Sequence, residues 1–435
     1  MRHLLLFGFS LLLSSAFAAS PSSSPSNPPA KPFLWGVANS AFQVEGSPAD
    51  SDSYHWTHTP GMIKDGSNAD IATDFWNRYD EDFALAQGLG ANAFRMSLAW
   101  ERIEPQRGQW NEEAFEHYEQ ILLAMRARGL EPVVTIWHTT LPTWVAQGGG
   151  VLSPTFIKDY SDYATKVVER FAHGNTQVHY WLTVNEPTTY AESDYEDGGS
   201  STGIAGSAGK FIKAIHQQAD AHIAAYKKIH ALPDSDDIQV GYAQDLEDFQ
   251  AKNPWNPLDQ MALFFTDLMY NKSFLDRVAF ALPDSMPALD FLGVNYYNRN
   301  IVSFTVHGFV KTSPGTGPVS DTDQEVYPVG LERVLKKVAS RYPVPILITE
   351  NGVADSTDHL RPNFLRSHIH YLMKARDHDH IPVIGYMHWS LTDNFEWSYG
   401  LNIRYGLVEI DYANNLKRIP RPSYYVYKDL IQENR

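Results

Sequence analysis

The feature that most constrains this chain is an alternation of short apolar runs with stretches whose apolar side chains recur at helical spacing. Phe115, Tyr118, Leu122 and Met125 recur every three or four residues, which places them on one helix face; Gly129 stops that helix and the apolar run Pro132 to Trp137 follows. The unit then repeats. Phe156, Tyr160, Tyr163, Val167 and Phe171 mark the next helix, Gly174 ends it, and the run Tyr180 to Val184 comes after. Read this way, the predicted strands are Phe33 to Val37, Ala91 to Met96, Pro132 to Trp137, Tyr180 to Val184, Gln239 to Tyr242, Phe291 to Asn295, Pro345 to Thr349 and Pro382 to Met387. Eight such strands with helices between them predict an α/β fold, a (β/α)8 TIM barrel with elaborated βα loops, rather than an open sheet. No short-period repeat points to a solenoid.

The barrel is expected to occupy residues 32–435 as a single catalytic domain, with no linker inside it. Before it, Met1 to Ala19 reads as a secretory signal. Arg2 and His3 open it, Leu4 to Leu13 form an apolar run too short to span a bilayer, and Ala16-Phe17-Ala18 offers a cleavage site near Ala18 or Ala19. A Ser/Pro-rich stretch, residues 20–31, joins the two and is too polar and proline-rich to pack. The expectation is therefore a secreted or periplasmic protein without a membrane anchor. There are no cysteines, so disulfides, thiolate metal sites and a lipidated cysteine are excluded. A formal net charge of −16 argues against nucleic acid or an anionic membrane as partner.

Two of the predicted strands end on a glutamate followed by a residue that breaks regular structure: TVNEP delivers Glu186 before Pro187, and ITENG delivers Glu350 two residues before Gly352. A carboxylate at the carboxyl end of a buried strand is costly unless paired or catalytic, and that end of a parallel barrel is where sites assemble. Two carboxyls, one holding a proton and one not, are what splitting a glycosidic bond requires. The other strand ends add Gln43 just after the first, Arg95 at the second, His138 at the third, Asn185 beside Glu186, Asn295 and Tyr297 at the sixth and Trp389 at the eighth. Amide, imidazole and carboxylate groups above an aromatic platform, Asn295 among the expected sugar contacts, suit a hydroxyl-rich, small-molecule carbohydrate substrate. The 13% aromatic content fits that reading, although most of those rings belong in a large core.

With these residues in view, the chain resembles glycoside hydrolase family one, the β-glucosidase family, from about Phe33 to Tyr427. FLWGVANSAFQVEG, HTPGMIKDG, RMSLAWERIEP, TVNEP, FLGVNYYN, ITENG and HWSLTDNFEW match that family's blocks in order. The resemblance implies a retaining β-glycosidase without cofactor or metal, with Glu186 as acid/base and Glu350 as nucleophile. It further implies sugar contacts from Gln43, His138, Asn185, Glu396 and Trp397, with Trp389 beneath the ring, and support of the nucleophile by Arg95 and Tyr297. A guanidinium and a phenol beside Glu350 would favour its ionised form, whereas Glu186 has no cation in its own segment.

Two departures bear on specificity. Thr139 stands where the family usually has an aromatic beside the histidine, and Glu192 to Gly206 fits the family's loop poorly. Losing that aromatic is expected to weaken glucose-type binding unless another side chain replaces it. A carboxylate at Glu396 is expected to repel a 6-phosphate on the sugar. A metal enzyme is prompted only by Asp377-His378-Asp379-His380, which precedes the eighth strand and so falls at the barrel end opposite the glutamates.

Overall fold

All eight expected strands form, because each is an apolar run that two flanking layers can bury on both faces. They are β1 Leu34–Ala38, β2 Ala93–Ser97, β3 Glu131–Trp137, β4 Tyr180–Asn185, β5 Gln239–Asp245, β6 Phe291–Asn295, β7 Ile346–Asn351 and β8 Val383–Trp389. Each pairs in parallel with the next, and β8 closes on β1 with Leu34 opposite Gly385 and Ala38 opposite Trp389, giving a closed eight-stranded barrel. The structure, a computed structural model, describes residues 32–46, 49–195, 206–283, 286–306 and 308–435. The expected signal at 1–19 and the stretch 20–31 lie outside the described residues.

Successive strand residues point alternately into the barrel and out to the helices. Leu34, Ala93, Val133, Leu182, Ala243, Leu347 and Met387 form one apolar cluster, while their sequence neighbours Trp35, Phe94, Val134, Trp181, Tyr242, Ile348 and Tyr386 join another. The interior is tight: a Cβ on Gly36 would lie 2.6 Å from the backbone oxygen of Ala93. The helices anticipated from spacing are Glu112–Ala127 and Phe156–Phe171, each burying the aromatic and aliphatic residues that defined it.

Several strands run further than their apolar signal. β4, β5, β7 and β8 extend to Asn185, Asp245, Asn351 and Trp389, because ladder hydrogen bonds continue after the side chains turn polar. Beyond the barrel, the segments after β5 and β6 form a three-stranded sheet, Asp248–Ala251 with Arg299–Thr305 and Gly308–Thr312. A hairpin, Val408–Asp411 with Lys417–Pro420, follows β8.

One buried carboxylate ties that hairpin to the barrel rim. Asp393, wholly buried, accepts from Arg421 at 2.8 and 2.9 Å, from Arg404 at 3.0 Å, and from the backbone N–H of Gly406 and Ile410 at 3.1 and 3.2 Å. Every acceptor direction is filled, which is the condition under which a buried charge is tolerated. Asp393→Ala would strand the Arg421 guanidinium and two amides and is expected to cost about 3–5 kcal/mol. The check is a lower urea midpoint with an unchanged m-value; an unchanged midpoint would remove Asp393 as the tie.

Candidate active site

The carboxyl ends of the strands open into a cavity of about 330 Å³, lined by Gln43, His138, Asn185, Glu186, Tyr297, Glu350, Trp389, Glu396 and Trp397 among others. Nine of the eleven residues singled out from the sequence therefore share one wall. The other two, Arg95 and Asn295, are fully buried beneath it. Asn295, anticipated among the sugar contacts, instead commits its amide to the protein: it donates to Glu186 at 2.7 Å and to Asn185 at 3.2 Å, and accepts from Thr349 at 2.6 Å. A side chain so saturated belongs to the floor.

Both glutamates are aimed by backbone irregularities. In β7 two steps from Ile348 to Glu350 match one from Val294 to Asn295, and in β4 three steps from Leu182 to Asn185 match two from Gly241 to Ala243. An extra residue of this kind bends a strand and redirects the side chain that follows. Glu186 also has a φ of 47°, a left-handed conformation uncommon for a side chain of this size and held only by its surroundings.

The two carboxyls are held differently. Glu350 accepts from Arg95 at 2.5 Å on one oxygen and from the Tyr297 hydroxyl at 2.6 Å on the other. Arg95 also donates to Asn185 at 2.7 Å, to the Thr349 carbonyl at 3.1 Å and to Thr135 at 3.1 Å. Glu186 has no cation bonded to it; its side-chain partners are neutral, the Asn295 amide described above and Thr189. Burial, then the negative charge on Glu350, push the Glu186 carboxyl up to about 8, with the Asn295 hydrogen bond opposing in part. At neutral pH Glu186 therefore keeps its proton, next to a partner carboxylate that a guanidinium and a phenol both contact.

On the sugar side, Asn185 has its oxygen fixed by Arg95 and Asn295, so its amide N–H faces His138 Nε2 at 3.3 Å. Burial and the nearby Arg95 charge hold His138 well below the usual imidazole range, so the ring is neutral. With Nε2 accepting, the ring proton sits on Nδ1, a buried nitrogen without a protein partner. The ring lies near-parallel to Trp389 and Trp397, with centroids 6.1 and 6.3 Å away, and Trp397 stacks in turn on Phe42 at 5.9 Å. Gln43 is oriented by Ser40 at 2.7 Å and donates to Asn394 and the Phe395 carbonyl, both at 3.1 Å, and to Glu396 at 3.4 Å. Burial and the charges of Glu350 and Glu186 also push Glu396 up to about 8. The carboxylate expected there from sequence is thus largely a neutral carboxyl near pH 7, able to donate as well as accept. None of the described residues lining the cavity is a lysine or arginine, while Glu186, Asp194, Asp245, Glu350 and Glu396 all line it.

Sequence reasoning passed over Trp56, Asp245 and Tyr405, which also line the cavity. Trp56 is largely buried, packs with Phe42, Phe395 and Trp397, and has an indole N–H with no protein partner. Nothing in its sequence position separates it from a core tryptophan. Thr139, the noted departure, lines the same cavity with a φ of 74°. The Asp377 to His380 tract lies before β8, where Asp379 accepts from Lys336 at 2.8 Å. Among the described residues, no group of His, Asp or Glu side chains is arranged to hold a metal ion.

A parallel barrel carrying a proton-holding carboxyl and an arginine-bound carboxylate in one acid-lined, aromatic cavity defines a glycosidase site. The family model described as glycosyl hydrolase family 1 matches residues 26–287 and 282–435, and the chain belongs to that family. It is 31% identical over 439 residues to β-glucosidase A of Thermotoga maritima, covering 92% of this chain and 97% of that one. A Thermotoga maritima β-glucosidase in complex with glucoimidazole superposes with a TM-score of 0.86 at 29% identity, covering 92% of this chain and 98% of the other. A rice β-glucosidase superposes with a TM-score of 0.85 at 28% identity, over 92% and 97%. The protein is a β-glucosidase-like hydrolase of this family.

Proposed function

We propose that this enzyme releases the terminal sugar of neutral β-glycosides with retention, Glu350 attacking the anomeric carbon while Glu186 protonates the departing oxygen. The unequal holding of the two carboxyls carries this reading. The carboxylate that Arg95 and Tyr297 grip is the one suited to attack, and the one that burial keeps protonated is suited to donate. In the first step Glu350 forms an ester bond to the sugar as the glycosidic bond breaks, and the proton of Glu186 leaves with the aglycone. Glu350 then has no charge, so one of the two causes that raised Glu186 disappears and its carboxylate can take a proton from water. Water attacks, the ester breaks, and both glutamates return to their starting states. Asn185, locked by Arg95 and Asn295, is placed to hold the sugar's 2-hydroxyl as that step proceeds.

A fluorosugar that traps the glycosyl-enzyme is expected to label the peptide containing Ile348 to Gly352. Labelling elsewhere, or a product of inverted configuration, would refute the assignment. Glu186→Ala should slow substrates with poor leaving groups at least about 100-fold more than activated aryl glycosides, with azide restoring turnover. Because the acid is active only while protonated, kcat/KM of the unmodified enzyme should fall as pH rises through about 8, and this limb should vanish in Glu186→Ala.

For the sugar, β-glucosides are the first choice, with galactosides also accepted because Gln43 and His138 can bond either orientation of the 4-hydroxyl. The complex of the Thermotoga maritima relative with glucoimidazole supports a glucose-shaped site. Phosphorylated glycosides should be poor substrates, since no described cation lines the cavity and several carboxyls do. We assign to Trp56 the indole N–H that Thr139 cannot supply. Trp56→Phe, which keeps the packing, is expected to raise KM for aryl glucosides about fivefold or more with a smaller change in kcat. Thr139→Trp should not improve affinity, because a tryptophan at a φ of 74° is strained; an improved KM would overturn this reading.

Export is proposed from the residues of the first segment alone. The mature protein recovered from the periplasm or medium should begin just after Ala18 or Ala19, and a cell-associated protein retaining Met1 would refute export.

A further inference from the structure

The helix Pro257–Asp267, on the segment that follows β5, is inside out. Its buried residues are Asp259, Ala262 and Thr266, a polar and small face, while Leu258, Met261, Phe264 and Phe265 are exposed. The inner face is committed to anchoring: Asp259 accepts from the backbone N–H of Asn253 at 3.1 Å and of Phe304 at 3.0 Å. The outer face continues onto the Arg299–Thr305 and Gly308–Thr312 hairpin. Phe265 stacks on Phe309 with ring centroids 6.0 Å apart, and Phe309 packs on Phe304 at 6.0 Å, with all three rings exposed. At the margins Trp255 and Val306 stand almost free, 92% and 95% exposed. A contiguous apolar surface of this kind marks an interaction site, whereas scattered exposed hydrophobes need no explanation.

We propose that this surface docks the enzyme on an uncharged or zwitterionic lipid surface, with its catalytic face toward the lipid. Charge and shape together select that partner. Across residues 252–267 and 299–312 the acidic residues are Asp259, which is buried, and Asp267, paired with Lys272, although the whole chain carries a formal charge of −16. Of the basic residues Lys252, Arg299 and Lys311, the last two are paired with Glu325 and Glu192. The surface has been kept free of the carboxylates that cover the rest of the molecule, so it can leave water without leaving an anion unsolvated. The overall charge opposes approach to an anionic bilayer. Side chains as exposed as Trp255 and Val306 project from the surface. Projecting tips meet a second copy of themselves over little area, whereas a fluid interface closes around them, and an indole suits its headgroup level.

Placement adds a functional consequence. The helix follows β5 and the hairpin follows β6, both leaving the barrel at the end that holds the cavity. Asp245, the last residue of β5, and Tyr297, just before the hairpin, line that cavity. Docking would therefore bring the site to β-glycosides whose aglycone is anchored in lipid.

The experiment is cosedimentation of the full chain with sucrose-loaded phosphatidylcholine vesicles, and with vesicles of phosphatidylcholine mixed with phosphatidylglycerol. The expected result is binding to phosphatidylcholine, weaker binding to the mixed vesicles, and a loss of at least about fivefold in the bound fraction for Trp255→Ser/Phe264→Ser. Hydrolysis of a soluble aryl β-glucoside should be unchanged in that variant, which also certifies its folding. Absence of binding by the unsubstituted chain, equal binding by the variant, or tighter binding to the anionic vesicles would overturn the proposal. So would an unsubstituted chain that elutes as a dimer and a variant that elutes as a monomer, with neither binding vesicles; that outcome would assign the surface to a second copy.

Discussion

One buried cation organises this enzyme. The Arg95 guanidinium, without solvent exposure, rises from β2 and reaches Thr135 on β3, Asn185 on β4, and both the Thr349 carbonyl and the Glu350 carboxylate on β7. A charge so far from water is tolerable only when its donors are matched by acceptors and one acceptor is an anion. Meeting that condition aligns three strand ends and one catalytic candidate at once. The same contacts give Asn185 its orientation, and Asn185 in turn meets His138. The floor of the site and the barrel's interior hydrogen bonding are thus one structure.

The cavity's chemistry then follows from what Arg95 does not reach. Its charge goes to Glu350, leaving Glu186 with the neutral Asn295 amide and Thr189, and Glu396 with Gln43. Both of these carboxyls are crowded by other acids in a poorly solvated pocket, and both are pushed up to about 8. An acid-lined cavity that is mostly protonated offers hydrogen-bond donors and acceptors without accumulating negative charge. That suits neutral hydroxyls, and it suits a reaction whose transition state carries positive charge on the sugar.

Much of this was readable in the residues, for identifiable reasons. The eight strands were visible because a barrel strand is buried on both faces and needs unbroken apolar residues. Glu186 and Glu350 stood out because polar groups at the ends of such runs are costly without a purpose. Trp56 did not stand out, because it arrives on a short helix, Asp52–Thr57, between β1 and β2 and looks like any core aromatic. Asn295 was read as a sugar contact because its residue type suits one, yet the bend of β7 places Thr349 and the two glutamate segments around it first. The outer face of Pro257–Asp267 escaped notice for a different reason: spacing marks an amphipathic helix without saying which face turns inward.

By itself the sequence determined the class of fold, the strands that carry the two glutamates, and the family to which they belong, since each of these depends on residue type and local spacing. The tertiary structure alone decided which carboxyl stays protonated. That property rests on burial, on the charges that converge from β2 and β7, on the neutral amide from β6, and on where one guanidinium places its hydrogen bonds. These are long-range quantities, set by contacts between residues tens to hundreds apart in the chain, and no local pattern encodes them.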